Sequence, residues 1–130
     1  MRLTDESKAF YFGVYSVVRQ IPYGYVTNYG HIALLLDKPE NSRQVGNALK
    51  KESYIIPKLN ENLSKDHPDY IDLDTLPWWR VISKSGKISP REANGQFEQA
   101  ELLRRENVQV SEGLFVDLEQ YGWFPDQVDY

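Results

Sequence analysis

Apolar positions recur at Phe10, Val14, Val17, Val18 and Ile21, the spacing of one helix face, and predict a helix over residues 9–21. Asp5, Glu6 and Ser7 suit a helix start just upstream, and Pro22-Tyr23-Gly24 ends the run. Thr27 reads as the N-cap of a second helix over residues 29–36. A turn follows at Asp37-Lys38-Pro39-Glu40. Asn41 then opens a third helix from residue 42 to about 51, with Gln44 at capping-box spacing. Two short helices joined by so short a turn have the look of a helix-turn-helix.

The periodicity fades over residues 52–76, which hold two prolines and six acidic residues and read as a long loop. Tyr54, Ile55, Ile56 and Leu59 are its candidates for docking on the core. Val81-Ile82 and Lys87-Ile88 flank Ser85-Gly86 as the short arms of a turn. Residues 90–95 form a loop. Residues 97–106 form a helix, with Phe97, Ala100 and either Leu102 or Leu103 facing inward. Val108-Gln109-Val110 and Leu114-Phe115-Val116-Asp117-Leu118 alternate around Glu112-Gly113, as a closing hairpin would. The aromatic tail Tyr121-Gly122-Trp123-Phe124-Pro125 is expected to pack back on the body. The class is mainly α (α+β), one domain over residues 1–130 with an acidic loop insertion at about 52–75.

Composition narrows the chemistry. Among 130 residues, 41% are hydrophobic and 13% aromatic, enough for one core. Cysteine is absent, which excludes disulfides, thiolate zinc sites and a cysteine nucleophile. No signal-like or membrane-length apolar run occurs, so a soluble intracellular protein without a membrane partner is expected. The net charge is −4, but residues 52–76 carry −4 and residues 111–130 carry −5. The remaining 85 residues are net +5, and a phosphate-binding face has to lie there.

Few residues offer catalysis. His31 and His67 belong to no metal-spaced cluster and read as ordinary histidines. Gly24, Gly30 and Gly46 are isolated and make no phosphate loop. The pairs Asp66/Asp69 and Asp72/Asp74 read as solvated charge. No metal, cofactor or catalytic residue is expected.

Two segments stand apart. One runs Ile21-Pro22-Tyr23-Gly24-Tyr25-Val26-Thr27-Asn28-Tyr29-Gly30-His31-Ile32-Ala33 and continues through Ser42-Arg43-Gln44-Val45-Gly46-Asn47-Ala48-Leu49. The other is Pro77-Trp78-Trp79-Arg80-Val81-Ile82, followed by Ser85-Gly86-Lys87-Ile88-Ser89 and later by Leu102-Leu103-Arg104-Arg105-Glu106. Together they resemble the DNA-binding and active-site segments of O6-alkylguanine-DNA alkyltransferases, over about residues 10–51 and 76–123. That family reads Pro-Cys-His-Arg-Val at the second motif, and its cysteine takes the alkyl group. Tryptophan at the cysteine position, here Trp78, is the mark of the alkyltransferase-like branch, which binds alkylated guanine without repairing it. Trp79 departs further, because that branch usually keeps histidine there. Glu106 matches the family glutamate, but its thiol and histidine partners are missing, which leaves it a structural or pocket residue.

The resemblance implies a helix-turn-helix, winged-helix-like domain with a small C-terminal β-hairpin. It implies that the helix from Ser42 enters the minor groove, with Arg43 filling the gap left by a flipped nucleotide and Ser42, Gln44 and Gly46 lying against the groove floor. Tyr29 would press on the flanking phosphate. Tyr29, Pro77, Trp78, Trp79, Arg80, Val81 (through its carbonyl) and Arg91 would form the alkylguanine pocket, with Arg91 covering the base by a cation–π contact. An O6 adduct already weakens pairing, so flipping costs less at the lesion. An indole cannot act as the soft nucleophile that dealkylation needs, so no enzyme is expected. The implied partners are double-stranded DNA containing O6-alkylguanine and nucleotide excision repair proteins. A monomer is expected, in the nucleus of a eukaryote or the nucleoid-bearing cytoplasm of a bacterium. A helix-turn-helix regulator without lesion specificity is the alternative, though it gives Pro77-Trp78-Trp79-Arg80 no role.

Overall fold

The computed structural model describes residues 3–130. Helix α1 spans Asp5–Val18, four residues earlier than the periodicity suggests, because the Thr4 side chain accepts from the Ser7 backbone N–H and caps it there. Its last turn is fully buried, and the Tyr15 hydroxyl donates to the Ala48 carbonyl at 2.6 Å. Gly13 lets α1 approach Leu36 closely; a Cβ there would stand 2.9 Å from the Leu36 side chain.

Helix α2 spans Tyr29–Leu35 and α3 spans Ser42–Lys50, joined through a 3-10 turn at Pro39–Asn41. This is the expected helix-turn-helix, with two corrections at its caps. Asn28, not Thr27, caps α2, its Oδ1 accepting from the His31 N–H at 2.7 Å. Thr27 is instead buried in a two-residue strand, β1 (Thr27–Asn28). Asn41 precedes α3 without a side-chain bond, so the capping box with Gln44 does not form; the 3-10 turn carries the chain into the helix.

Residues 52–76 are not a free loop. Glu52–Leu59 forms helix α4, which buries Ile55 and Ile56 while Tyr54 stays exposed. Beyond it the Asn60 side chain brackets Ile71, accepting from its N–H at 2.9 Å and donating to its carbonyl at 2.8 Å. Arg19 donates to the Tyr70 carbonyl, and Ile71, Leu76 and Pro77 are buried. The acids Asp66, Asp69, Asp72 and Asp74 all face solvent.

Strand β2 (Val81–Ile82) pairs in parallel with β1, Thr27 opposite Val81 and Asn28 opposite Ile82. The expected pairing of Val81-Ile82 with Lys87-Ile88 therefore gives way to a longer-range one. The arm after the Gly86 turn pairs antiparallel with residues 114–116, Ile88 N–H to Leu114 carbonyl and Val116 N–H to Gly86 carbonyl, both at 2.8 Å. Gly86 has φ +87°, and any Cβ there would collide with the Val116 carbonyl. The C-terminal hairpin is thus replaced: residues 111–115 make a tight turn, but its outgoing arm pairs with residues 86–88, not 108–110.

Helix α5 covers Gly95–Arg105 and buries Gln99, Ala100 and Leu103. Phe97, expected inward, is 57% exposed, because the helix begins two residues earlier and its buried face follows Gln99 and Leu103. A final turn, α6 (Leu118–Tyr121), leads into the aromatic tail. There Trp123 packs on the core and its N–H donates to the Val26 carbonyl at 2.7 Å. One buried cluster lies among α1 to α4; a second lies between α5, β2 and the 108–116 segment. The β1–β2 pair joins them and sets the motif at residues 77–80 beside the helix-turn-helix. Among the described residues no helix is long and apolar enough to cross a membrane.

Candidate nucleic-acid interface

Helix α3 buries Val45, Ala48 and Leu49 and turns Ser42, Arg43, Asn47 and Lys50 to solvent. These exposed residues form one wall of a groove of about 890 Å³, with Gly46 at its base and Tyr29 at the start of α2. The opposite wall is Ser89, Pro90, Arg91 and Glu92. A Cβ at Gly46 would meet nothing within 4 Å, so the glycine keeps this surface low without being forced by packing.

Of the residues expected at the DNA surface, Tyr29, Ser42, Arg43 and Gly46 line this groove together. Gln44 does not. It points around the helix into a separate cavity of about 370 Å³ with Phe10, Tyr11 and Tyr130. Adjacent helical positions diverge by about 100°, so Arg43 and Gln44 cannot share a face. Asn47 and Lys50, which do share the Arg43 face at steps of four and seven, were legible by the same rule but were not singled out.

Of the expected pocket residues, Tyr29 and Arg91 line the groove. Trp78 adjoins it through Arg91, whose guanidinium lies 4.4 Å from the centre of the Trp78 indole. Arg91 is held there by its neighbours. Its N–H donates to Gln96 Oε1 at 3.0 Å, and Gly95 leaves room for its side chain, since a Cβ at Gly95 would stand 3.0 Å from the Arg91 Cβ. Ala93 and Asn94 both take positive φ, 55° and 59°. A left-handed alanine is strained by about 1 kcal/mol, stored at this loop.

Pro77, Trp79, Arg80 and Val81 are not among the residues that line this groove. Trp79 stands edge-on to Trp78, with ring centroids 6.1 Å apart, and turns its indole N–H away to Glu106 Oε2 at 2.7 Å. Arg80 grips the same carboxylate from Nη2 at 2.7 Å and Nε at 2.9 Å, and donates from Nη1 to the Ile21 carbonyl. The Gly24 N–H adds a fourth donor group at 2.9 Å. Glu106 is therefore not left without partners. Burial alone would push its carboxyl up, but the bonds from Arg80, the Gly24 N–H and Trp79 outweigh this and hold it below the ordinary carboxylate range. A carboxylate so fully occupied orients the motif and has no free lone pair to act as a base. The Val81 carbonyl accepts from Gln99 Nε2 at 2.9 Å in the interior.

One buried ionisable group carries no signal in the sequence pattern. Glu52, at the first turn of α4, has its Oε2 buried without a hydrogen-bond partner. Burial pushes this carboxyl up to about 7, against the opposing pull of the Arg91 guanidinium. Its charge, with burial as the larger cause, also pushes the Tyr15 phenol up.

The two histidines hold structural contacts. His31 Nε2 meets the Pro125 carbonyl at 2.8 Å and its ring packs edge-on against Phe124, while His67 Nδ1 accepts from the Asp69 N–H. Among the described residues, no three His, Asp or Glu groups are placed to hold a metal ion.

Residues 9–108 match the family model of the 6-O-methylguanine DNA methyltransferase DNA-binding domain. The chain is 36% identical over 121 residues to alkyltransferase-like protein 1 of Schizosaccharomyces pombe, covering 89% of this chain and 95% of that one. It is 35% identical over 119 residues to a DNA base-flipping protein of Escherichia coli K12, covering 92% and 78% respectively. Its fold resembles S. pombe Atl1 in a crystal structure with damaged DNA containing O6-carboxymethylguanine, with a TM-score of 0.69, 32% identity and coverage of 96% and 100%. A groove bordered by the α3 helix and an Arg91-capped Trp78, in a chain so matched, identifies a member of the alkyltransferase family's DNA-binding domain, in its alkyltransferase-like branch.

Proposed function

We propose that this protein binds O6-alkylguanine in duplex DNA by flipping the nucleotide, holds it without dealkylation, and marks the site for nucleotide excision repair. The observation that carries this reading is the Arg91–Trp78 stack beside the α3 groove. It puts a flat aromatic face and a cation where the family places its reactive thiol, and neither can accept an alkyl group. Arg43 projects from the exposed face of α3, where its planar guanidinium can stack in the vacated base position. In this reading Tyr29, which lines the groove, presses on the flanking phosphate, and Ser42 and Gly46 allow close approach to the groove floor. Pro77, Trp79, Arg80 and Val81 act behind the pocket: they fix Trp78 rather than touch the base.

The relatives support the same reading, since one is named for base flipping and another is crystallised on damaged DNA. The protein works as a monomer, in the nucleus of a eukaryote or at the bacterial nucleoid. Its solvent-facing acids at residues 61–74 are unsuited to phosphates and form the surface offered to the repair partner.

The test is a titration of duplexes holding guanine, O6-methylguanine or a bulkier O6 adduct at one salt concentration, with a radiolabelled methyl group followed in parallel. Tighter binding of both adducts and no label on the protein are expected. Equal affinity for all three removes the lesion reading. A preference for one undamaged sequence favours an ordinary helix-turn-helix regulator.

A further inference from the structure

Helix α3 carries two weak helix formers side by side, Gly46 and Asn47, in the middle of its nine residues. Nothing in the interior asks for either. The buried face is Val45, Ala48 and Leu49, and a Cβ at Gly46 would meet nothing within 4 Å. Asn47 is exposed, and among the described residues no hydrogen bond engages its side-chain amide. Its backbone carbonyl accepts from the Lys51 N–H at 2.9 Å, so the amide is not needed to end the helix. Both residues line the groove, one turn beyond Arg43. Helix preference given up on an outward face, with no gain inside the chain, points to an object outside it.

We propose that Asn47 is a specificity-determining residue: it reads a base pair beside the flipped nucleotide and favours pairs that present the guanine N2 amino group. This inference rests on the lesion-binding reading above, with α3 in the minor groove as the family resemblance implies, and extends it to the sequence around the lesion. Asn47 stands about 6 Å along α3 from Arg43, within reach of the first or second pair beside the gap that Arg43 fills. In the minor groove A·T and T·A pairs show only acceptors, while a G·C pair adds the N2 donor. The groove cations Arg43, Lys50 and Arg91 can only donate and gain nothing from that amino group. An amide does both: Asn47 Oδ1 can accept from the N2 amino group while Nδ2 donates to a base acceptor. The other acceptors that line the groove stand elsewhere. Tyr29 opens α2, Ser42 lies about 100° around the helix from Arg43, and Ser89 and Glu92 belong to the opposite wall.

The experiment measures affinity for O6-methylguanine duplexes in which the first and second pairs on each side of the lesion are varied one at a time. Each is set to G·C, inosine·C, A·T or 2,6-diaminopurine·T, with the intact chain and with Asn47→Ala. Inosine removes the N2 amino group from a G·C pair, and diaminopurine adds it to an A·T pair. In the native chain the two pairs that carry the group should bind about five- to tenfold tighter than their counterparts at one of these positions. Asn47→Ala should erase that difference while keeping the lesion preference, the salt dependence and the melting temperature. Equal affinity for all four pairs at every position overturns the proposal. So does a preference that ignores the amino group or that survives in Asn47→Ala. If O6-methylguanine duplexes bind no better than guanine duplexes whatever their flanks, it is the lesion reading that fails, and this inference falls with it.

Discussion

Under the proposed function, the environment of Trp78 decides whether alkyl transfer could be regained by one substitution. The resemblance puts Trp78 at the acceptor position, and Trp79 and Arg80 together with the Gly24 N–H saturate Glu106. Restoring the thiol alone with Trp78→Cys leaves no histidine to activate it and no free carboxylate to orient one. The variant is expected to transfer no methyl group in a stoichiometric labelling assay; full labelling would show that the thiol needs no relay. Glu52 governs a different property at the same scale. Its carboxyl is raised from the ordinary 4.5 to about 7 in the fold, so folding favours its protonated form. Below about pH 4.5 both folded and unfolded chains hold the proton and nothing is lost. As pH rises through 7 the unfolded chain has already released it, and the folded chain then carries a buried charge. Glu52→Gln should therefore melt close to the native chain at pH 5 and higher than it at pH 8. The gain is about 1–2 kcal/mol once partial solvent screening is allowed for. A constant melting difference across pH would mean the carboxyl is solvated in the fold.

The helices show where sequence patterns carry information and where they stop. The helix-turn-helix was legible because the apolar spacing of α2 and α3 and the Pro39 turn between them are local signals, although the caps fall elsewhere than the sequence suggests. Residues 52–59 were not, because Pro57 and a scatter of charges hide a helix whose burial of Ile55 and Ile56 depends on α1 and α3. The partner of Val81-Ile82 was equally hidden, since two-residue strands choose partners by the packing of distant helices, not by their own composition. The site divides in the same way. The family resemblance groups Tyr29, Arg43, Trp78 and Arg91, but the direction in which Trp79 and the Val81 carbonyl face is set by Glu106 and Gln99, residues far off in sequence. On α3, Arg43→Ala should weaken lesion binding by about 1–3 kcal/mol, the size of one specific contact, while leaving the melting temperature unchanged because Arg43 is exposed. An unchanged affinity would place the intercalating group elsewhere. Asn60, at the end of α4, is the opposite case. Asn60→Ala strips partners from both the N–H and the carbonyl of buried Ile71, and should cost about 1–3 kcal/mol in denaturant unfolding. A loss of only a few tenths would mean that the 60–76 segment is not anchored through this bracket.

At the scale of the whole molecule, a chain of net charge −4 has to approach a polyanion, and the fold resolves this by segregation. The acids of the 60–76 segment project from surface anchored behind α4, and those of residues 111–130 belong to the C-terminal turn and tail. The groove keeps Arg43, Lys50 and Arg91 against the single carboxylate of Glu92. The overall charge sets long-range repulsion that salt screens, whereas groove cations bound to DNA phosphates would release counterions, so the two would oppose each other as salt rises. Lys50 separates these contributions. It is exposed and lines the groove, and a lysine there would meet a phosphate as a point charge without reading a base. Lys50→Gln should lower affinity for undamaged and lesion duplexes by the same factor. It should also reduce the slope of log affinity against log salt by about 1, with the lesion preference intact. If the lesion duplex alone loses affinity, Lys50 reads the flipped nucleotide itself, and the boundary between the phosphate-holding and base-holding halves of the groove lies about two helical turns further along α3 than Arg43 implies.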